Sequence, residues 1–211
     1  GGRRPRKPSG APGAGTRNPA GKHAVLDLLA PRYDLPDTPI MAFHRGRVDR
    51  LAAFLRRDPR LVERRFSTRD IYPPELGCAE DGRNGLCGTP LDDVTLLHLA
   101  IEFDERAIFD LLLDQGADPN ARAAVDDAGF GGYTPLFHTV VNCGRPGQHQ
   151  QAMAKALLAR GASPQARANL RKFLDWREVP GWHEAHVTAT EWAREFPERG
   201  WINHRAMAEL S

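Results

Sequence analysis

The sequence predicts an all-α fold, a solenoid of stacked helix-turn-helix units joined by β-turn loops. The first observation is a Thr-Leu-Leu-His-Leu-Ala segment at residues 95–100, followed by a Leu-rich segment that ends in Gly-Ala-Asp-Pro-Asn at residues 111–120. The second is that this pattern opens again at residues 134–139 and closes at residues 156–164. Self-similarity at a period of about 33 residues is typical of helical repeat arrays. The third is a weaker copy at each end, where a terminal unit has one face in solvent.

The first copy is predicted over residues 37–62. Thr38-Pro39 opens it, an apolar helical pattern follows, and Asp58-Pro59 stands in the place of the closing turn. Met41 or Ala42 occupies the position of the histidine found in the second copy. We therefore expect an atypical unit at this end of the array.

The second and third copies, residues 94–122 and 132–167, carry the pattern most fully. A threonine at the start of a helix caps free backbone N–H groups, and proline fits the first turn because no hydrogen bond is lost there. A glycine at the end takes the left-handed conformation that closes the second helix. The third copy has Phe137 in place of the histidine, and residues 145–150 lengthen the turn between its helices.

The fourth copy, residues 187–210, is degenerate. Thr188 opens it, but the proline, leucine and histidine positions hold Ala189, Thr190 and Glu191. Divergence of this kind is expected in a capping unit. We expect its two tryptophans, Trp192 and Trp201, to pack within the cap.

The quoted segments resemble ankyrin repeats, a family whose units open with Thr-Pro-Leu-His-x-Ala and close with Leu-Leu-x-x-Gly-Ala-Asp-Pro-Asn. The resemblance implies about four repeats, of which two are atypical caps. It implies that His98 is structural and bonds the backbone of the neighbouring turn. It also implies a non-catalytic role in protein-protein interaction.

The resemblance further implies a concave binding surface built from the first helix of each repeat and the tips of the β-turns. Aromatic residues at turn tips are effective contacts because they bury much area and lose little side-chain entropy. For each residue the alternative is packing against an adjacent insertion. The family's contact positions fall here on Asp92, Val94, Glu102, Phe103, Phe130, Tyr133, Val141 and Asn142.

Two insertions interrupt the repeats, at residues 63–93 and 168–185. The first is too long for an ordinary connection between repeats. Its apolar residues predict that it folds onto the array: Phe66, Ile71, Tyr72, Leu76 and Leu86. Within the second insertion, residues 170–178 are predicted to form a short helix.

Charge divides the chain into a basic tail and an acidic body. The whole chain carries +2, but residues 1–22 hold six basic and no acidic residues, so residues 23–211 carry −4. Ten of those first 22 residues are glycine or proline, and none has a large apolar side chain. We therefore expect residues 1–22 to be disordered. Contact of this tail with nucleic acid is an alternative function, less favoured than protein binding.

The sequence gives little support for catalysis or metal binding. It has no Gly-x-Ser-x-Gly elbow, no phosphate-binding Gly-Lys-Ser/Thr loop and no His-Glu-x-x-His helix. Cys78, Cys87 and Cys143 lack the paired spacing of a zinc site, so we expect free thiols. A disulfide between Cys78 and Cys87, or a metal-binding or enzymatic role for the insertions, is an open alternative. We predict no enzyme activity, no metal and no cofactor.

Two features bear on the compartment. No apolar run reaches the roughly 18 residues that a membrane span needs. The count of three cysteines is odd and fits a reducing environment. We therefore expect a cytoplasmic monomer that binds a protein partner and no membrane.

Overall fold

The computed structural model describes residues 23–24, 26–28, 31–32, 35–73, 91–142, 147–174 and 181–211. Helices dominate this part of the chain. Its elements are α1 Pro39–His44, α2 Val48–Arg57, a 3-10 helix Pro59–Val62, β1 Arg65–Phe66, α3 Thr68–Ile71, β2 Val94–Thr95, α4 Leu96–Glu102, α5 Arg106–Asp114, α6 Pro135–Val140, α7 Gln150–Ala159, β3 Arg167–Leu174, β4 Gly181–Thr188, α8 Ala189–Arg194 and α9 His204–Glu209.

The helices pack in chain order. Within each of the first three pairs the two helices contact one another: α1 with α2, α4 with α5, and α6 with α7. The inner helices α4, α6 and α8 contact each other in succession, while α2 packs on α5. Helix α9 packs on α6 and α7. This arrangement is compatible with a helical repeat fold.

The capping residues that the sequence predicts lie at the ends of the helices. The Thr38 hydroxyl accepts a hydrogen bond from the Met41 backbone N–H at 3.2 Å, and Thr188 and Glu191 form a reciprocal capping box at the start of α8. Gly116 and Gly161 follow α5 and α7 with φ of +83° and +85°. Only glycine adopts this left-handed conformation without cost, so these positions end the second helices as the pattern predicted.

The fold is not all-α, because two small antiparallel sheets stand beside the helices. Strand β1 pairs with β2, which joins residues 65–66 to the start of the second helix pair. Strand β3 pairs with β4 over eight residues each. Local pattern alone gave no register for these strands, because their partners are distant or follow a long connection.

The predicted helix at residues 170–178 is wrong for residues 170–174, which belong to β3, and residues 175–178 lie outside the described residues. Ala168, Leu170 and Leu174 are buried on one face of this strand, while Phe173 points to the other. The alternation of buried and exposed side chains has a period of two, which is the period of a strand.

The hairpin β3–β4 extends a β-turn loop that lies before α6. Residues 123–133 fold back on themselves through hydrogen bonds from Ala123 N to Tyr133 O and from Gly132 N to Ala124 O. Gly131 N donates to Asn169 O of β3 at 2.7 Å. A Cβ at residue 131 would lie 1.9 Å from Ala124 O, so this close approach requires glycine.

A single apolar core runs from Ile40 to Leu210. The start of the predicted first insertion belongs to it, because Phe66 and Ile71 are buried. His44 Nε2 lies 2.8 Å from Ile71 O and ties this segment to α1. Residues 74–90 of the same insertion, with Leu76 and Leu86, lie outside the described residues, as does the tail 1–22.

Candidate interaction surface

His98 has the structural role that the pattern predicted. Its ring is fully buried, and Nδ1 lies 3.3 Å from the Thr95 backbone N and 3.0 Å from the Thr95 hydroxyl. Nε2 faces Tyr133 O at 3.3 Å, so a neutral ring that carries its proton on Nε2 satisfies both sides. Burial lowers the pKa of His98 well below its usual value. The side chain thereby links α4 to the turn before α6.

Five of the eight predicted contact residues are buried: Val94, Glu102, Tyr133, Val141 and Asn142. Val141 forms a β-bridge with Ile202, and Asn142 N donates to Trp201 O. The segment between α8 and α9 therefore covers this end of the inner helices. These side chains hold neighbouring elements together in the described fold.

Glu102 is the most consequential of the buried residues, because its side chain is ionisable. Its Oε2 lies 2.7 Å from His138 Nδ1, and both side chains have no solvent exposure. Its backbone carbonyl accepts a hydrogen bond from Asn142 Nδ2 at 2.8 Å. A buried charge requires such partners, so Glu102 joins α4 to α6 from within.

The other three predicted contact residues retain exposure. Asp92 is exposed, and its Oδ1 accepts a hydrogen bond from Thr68 N. Phe103 is half-buried with its ring edge-on to Phe43 and His44. Phe130 is half-buried at the tip of the turn that precedes α6.

Phe130 belongs to a larger exposed patch that sequence reasoning missed. We define the finger surface as Val125, Phe130, Arg171, Phe173 and Trp182. The Arg171 guanidinium carbon lies 4.7 Å from the centroid of the Phe130 ring and 5.3 Å from that of Trp182. Phe173 packs edge-on against Trp182, its partner in the strand register, with ring centroids 5.5 Å apart. The result is a continuous row of rings around one cation.

The finger surface exposes apolar side chains, and its arginine is held by an ion pair. Val125 is 60% exposed, Trp182 51% and Phe173 38%. Arg171 is fixed from the side by an ion pair with Asp126 at 2.6 Å. Cation-π contacts of this kind contribute about 0.5–1 kcal/mol at exposed sites. These contacts therefore favour the observed arrangement of the rings.

A pocket of about 130 Å³ opens beside these residues. It has aromatic walls from Phe130 and Tyr133 and a charged rim from Asp92, Asp126 and Arg171. Two carboxylates against one guanidinium leave the rim negative. An apolar or basic side chain of a partner fits this lining.

The signal for this surface was present in the sequence but depended on recognising the strands. Residues 167–171 alternate polar and apolar side chains, and a strand that continues beyond them places Arg171 and Phe173 on the outer face. In a helix, the side chains of the same residues would point in all directions around the helix axis. The pairing of Phe173 with Trp182 also requires the β3–β4 register, which sequence alone did not supply.

The described residues show no cluster of three or more His, Cys, Asp or Glu side chains that could hold a metal ion. All three cysteines lie in the segments 74–90 and 143–146, outside the described residues. Among the helices that the structure describes, none is long and apolar enough to cross a membrane.

Comparison with known proteins identifies the second helix pair. The family model described as Ankyrin repeat matches residues 92–124, which include β2, α4 and α5. No curated protein matches the chain. Ankyrin repeats generally mediate protein-protein interaction. The matched segment contains the Thr95 to Ala100 opening and the Gly116 turn described above, and the chain accordingly contains an ankyrin repeat at residues 92–124.

Proposed function

We propose that this chain is a non-catalytic module that binds a protein partner through the β-turn side of its concave surface. The observation that supports the proposal is the finger surface, where Phe130, Arg171 and Trp182 form an exposed row of rings around a fixed cation. Exposed aromatic residues in an ordered patch are typical anchors of protein interfaces.

The proposed contact set keeps three of the eight residues predicted from the family pattern. Asp92, Phe103 and Phe130 remain proposed contacts because each keeps solvent exposure. The buried residues act indirectly by fixing the turns on which these contacts stand. The finger surface adds residues from β3 and β4 to the set.

Charge indicates the kind of partner. The pocket beside Phe130 has Asp92 and Asp126 on its rim, and residues 23–211 carry a net −4. A partner segment with a basic residue next to an apolar one complements both features. An acidic partner would meet like charge at this surface.

The test has two steps. The chain captures a partner by affinity purification, and the Kd of the complex is then measured with the isolated partner. The variant F173A/W182A removes the two ring anchors, and we expect the Kd to rise at least about tenfold, as hot-spot residues imply. The matched control is Leu28→Ala, since Leu28 is also exposed, at 70%, but lies outside the finger surface.

We expect the control to bind like the wild type. If F173A/W182A also keeps the wild-type Kd while its circular dichroism is unchanged, the finger surface is not the binding site. A protein partner would then have to bind another face of the molecule.

A further inference from the structure

The end of the first helix pair carries a second charged surface, unrelated to the finger surface. We define the arginine patch as Arg56, Arg57, Arg60, Arg64 and Arg69. All five side chains are exposed. Within the described part of the chain, none of the five has a carboxylate within 4.0 Å, the distance that defines an ion pair. The five arginines lie within residues 56–69, and the same fourteen residues contain only two acidic residues, Asp58 and Glu63.

Neighbouring arginines behave differently. Arg50 pairs with Asp37, and Arg65 pairs with Asp93 at 3.1 Å. Ion pairs of this kind neutralise surface charge locally. The arginine patch is therefore a distinct set, since no carboxylate of the described residues forms an ion pair with its guanidinium groups.

The acidic residues inside this stretch are mostly occupied by backbone groups. Asp58 Oδ1 accepts a hydrogen bond from Arg60 N at 3.1 Å and caps the 3-10 helix. Asp70 Oδ2 accepts from the Ser67 N and hydroxyl at 2.9 and 2.7 Å. Counting all charges, residues 56–70 hold six basic and three acidic residues, a local +3 in a body that carries −4.

The fold presents the patch on a fixed base. Leu61 and Phe66, which lie between the arginines, and Ile71, which follows them, are buried and anchor the segment to the core. The Arg64 guanidinium carbon lies 5.3 Å from the centroid of the Phe66 ring, which orients that side chain. The favourable position of cations at a helix C-terminus explains Arg56 and Arg57 in the last turn of α2. Arg60 and Arg69 also lie in last turns, but of helices only four residues long, and Arg64 lies in no helix.

We propose that the arginine patch binds an acidic segment of a protein. Guanidinium groups bind carboxylates through paired hydrogen bonds, and the patch is built of arginine alone. Nucleic acid is the less favoured ligand because, among the described residues, 56–69 expose no large aromatic side chain on which bases could stack.

The test uses fluorescence anisotropy with the full chain and three labelled probes: a short poly-glutamate peptide, a poly-glutamine peptide of the same length and a short oligothymidine. The variant R56Q/R60Q removes two charges from the patch. The control R194Q/R205Q removes two exposed arginines from α8 and α9, so that the change in net charge is equal.

We expect poly-glutamate to bind, poly-glutamine not to bind, and affinity to fall as salt is raised. R56Q/R60Q should weaken poly-glutamate binding about tenfold, while the control changes it less than about twofold. F173A/W182A should bind poly-glutamate normally, which separates this proposal from the function proposed above.

Three outcomes would overturn the proposal. One is no binding of poly-glutamate, and another is an equal loss in the two charge variants, which would show only a net-charge effect. The third is tighter binding of oligothymidine than of poly-glutamate, which would assign the patch to nucleic acid.

Discussion

Two buried histidines on successive inner helices illustrate how single residues hold this fold. His98 is satisfied as a neutral ring between Thr95 and the Tyr133 carbonyl. His138, with its ring centroid 5.8 Å from that of His98, instead bonds the Glu102 carboxylate. Sequence pattern predicted the first role, because it belongs to the repeat. The second was missed, since Phe137 occupies the family position and His138 is displaced by one residue.

The burial of His98 predicts a dependence of stability on pH. Since burial holds the pKa of His98 well below 6.5, the folded protein keeps the ring neutral while the unfolded chain takes up a proton below about pH 6.5. The free energy of unfolding therefore falls with acidification, by up to about 1.4 kcal/mol per pH unit from this residue alone.

Urea unfolding of the wild type and of His98→Gln at several pH values measures the contribution of His98 to the free energy of unfolding. The glutamine does not titrate, so the difference between the two proteins removes the contribution of every other group. We expect the stability advantage of the wild type to shrink steadily below pH 6.5. Parallel pH profiles for the two proteins would show that His98 is not the group responsible.

At the scale of elements, the hairpin β3–β4 is where sequence and structure differ most. The helices were predictable because their caps and periodic apolar residues are local, as with Thr38-Pro39 before α1 and Gly116 after α5. The hairpin depends on pairing across a connection, including the bond from Gly131 to Asn169. Such non-local contacts override the propensity of a short segment.

The two interpretations of residues 170–178 predict different effects of mutation. In a helix, Leu170 and Phe173 would share one face, because residues three apart lie side by side. In the strand they point to opposite sides, with Leu170 buried and Phe173 on the finger surface. Leu170→Ala should lower the free energy of unfolding by about 3 kcal/mol, and Phe173→Ala by less than about 1 kcal/mol.

Chemical denaturation followed by circular dichroism gives both values. Equal destabilisation by the two substitutions would contradict the strand and favour the helix. The comparison is internally controlled, because the two residues lie in the same element and each substitution leaves an alanine.

At the scale of the molecule, sequence indicated the repeat fold but not which surfaces stay open. The pattern assigned Val94, Glu102 and Val141 to the binding face, yet all three are buried. Position within a repeat fixes the face of a helix on which a residue lies. It does not determine what else packs on that face. Val94 pairs with β1, Glu102 meets His138 of α6, and Val141 bridges to the segment between α8 and α9.

The continuity of the core predicts that the chain unfolds as one unit. Apolar contacts run without interruption from Ile40 to Leu210, and α2 packs on α5, which leads to the following pairs. All four tryptophans lie after residue 175, so their fluorescence reports the C-terminal half, while circular dichroism reports all helices. Leu51 is fully buried in α2 at the other end.

We therefore expect Leu51→Ala to lower the urea midpoint of tryptophan fluorescence as much as that of circular dichroism. The substitution removes about 3 kcal/mol of packing free energy from the first helix pair, and a cooperative core shares that loss with the distant tryptophans. In an array with weak coupling between repeats, the first pair would melt alone. A circular dichroism transition in two steps, with the fluorescence midpoint unmoved, would therefore show that the helix pairs unfold independently.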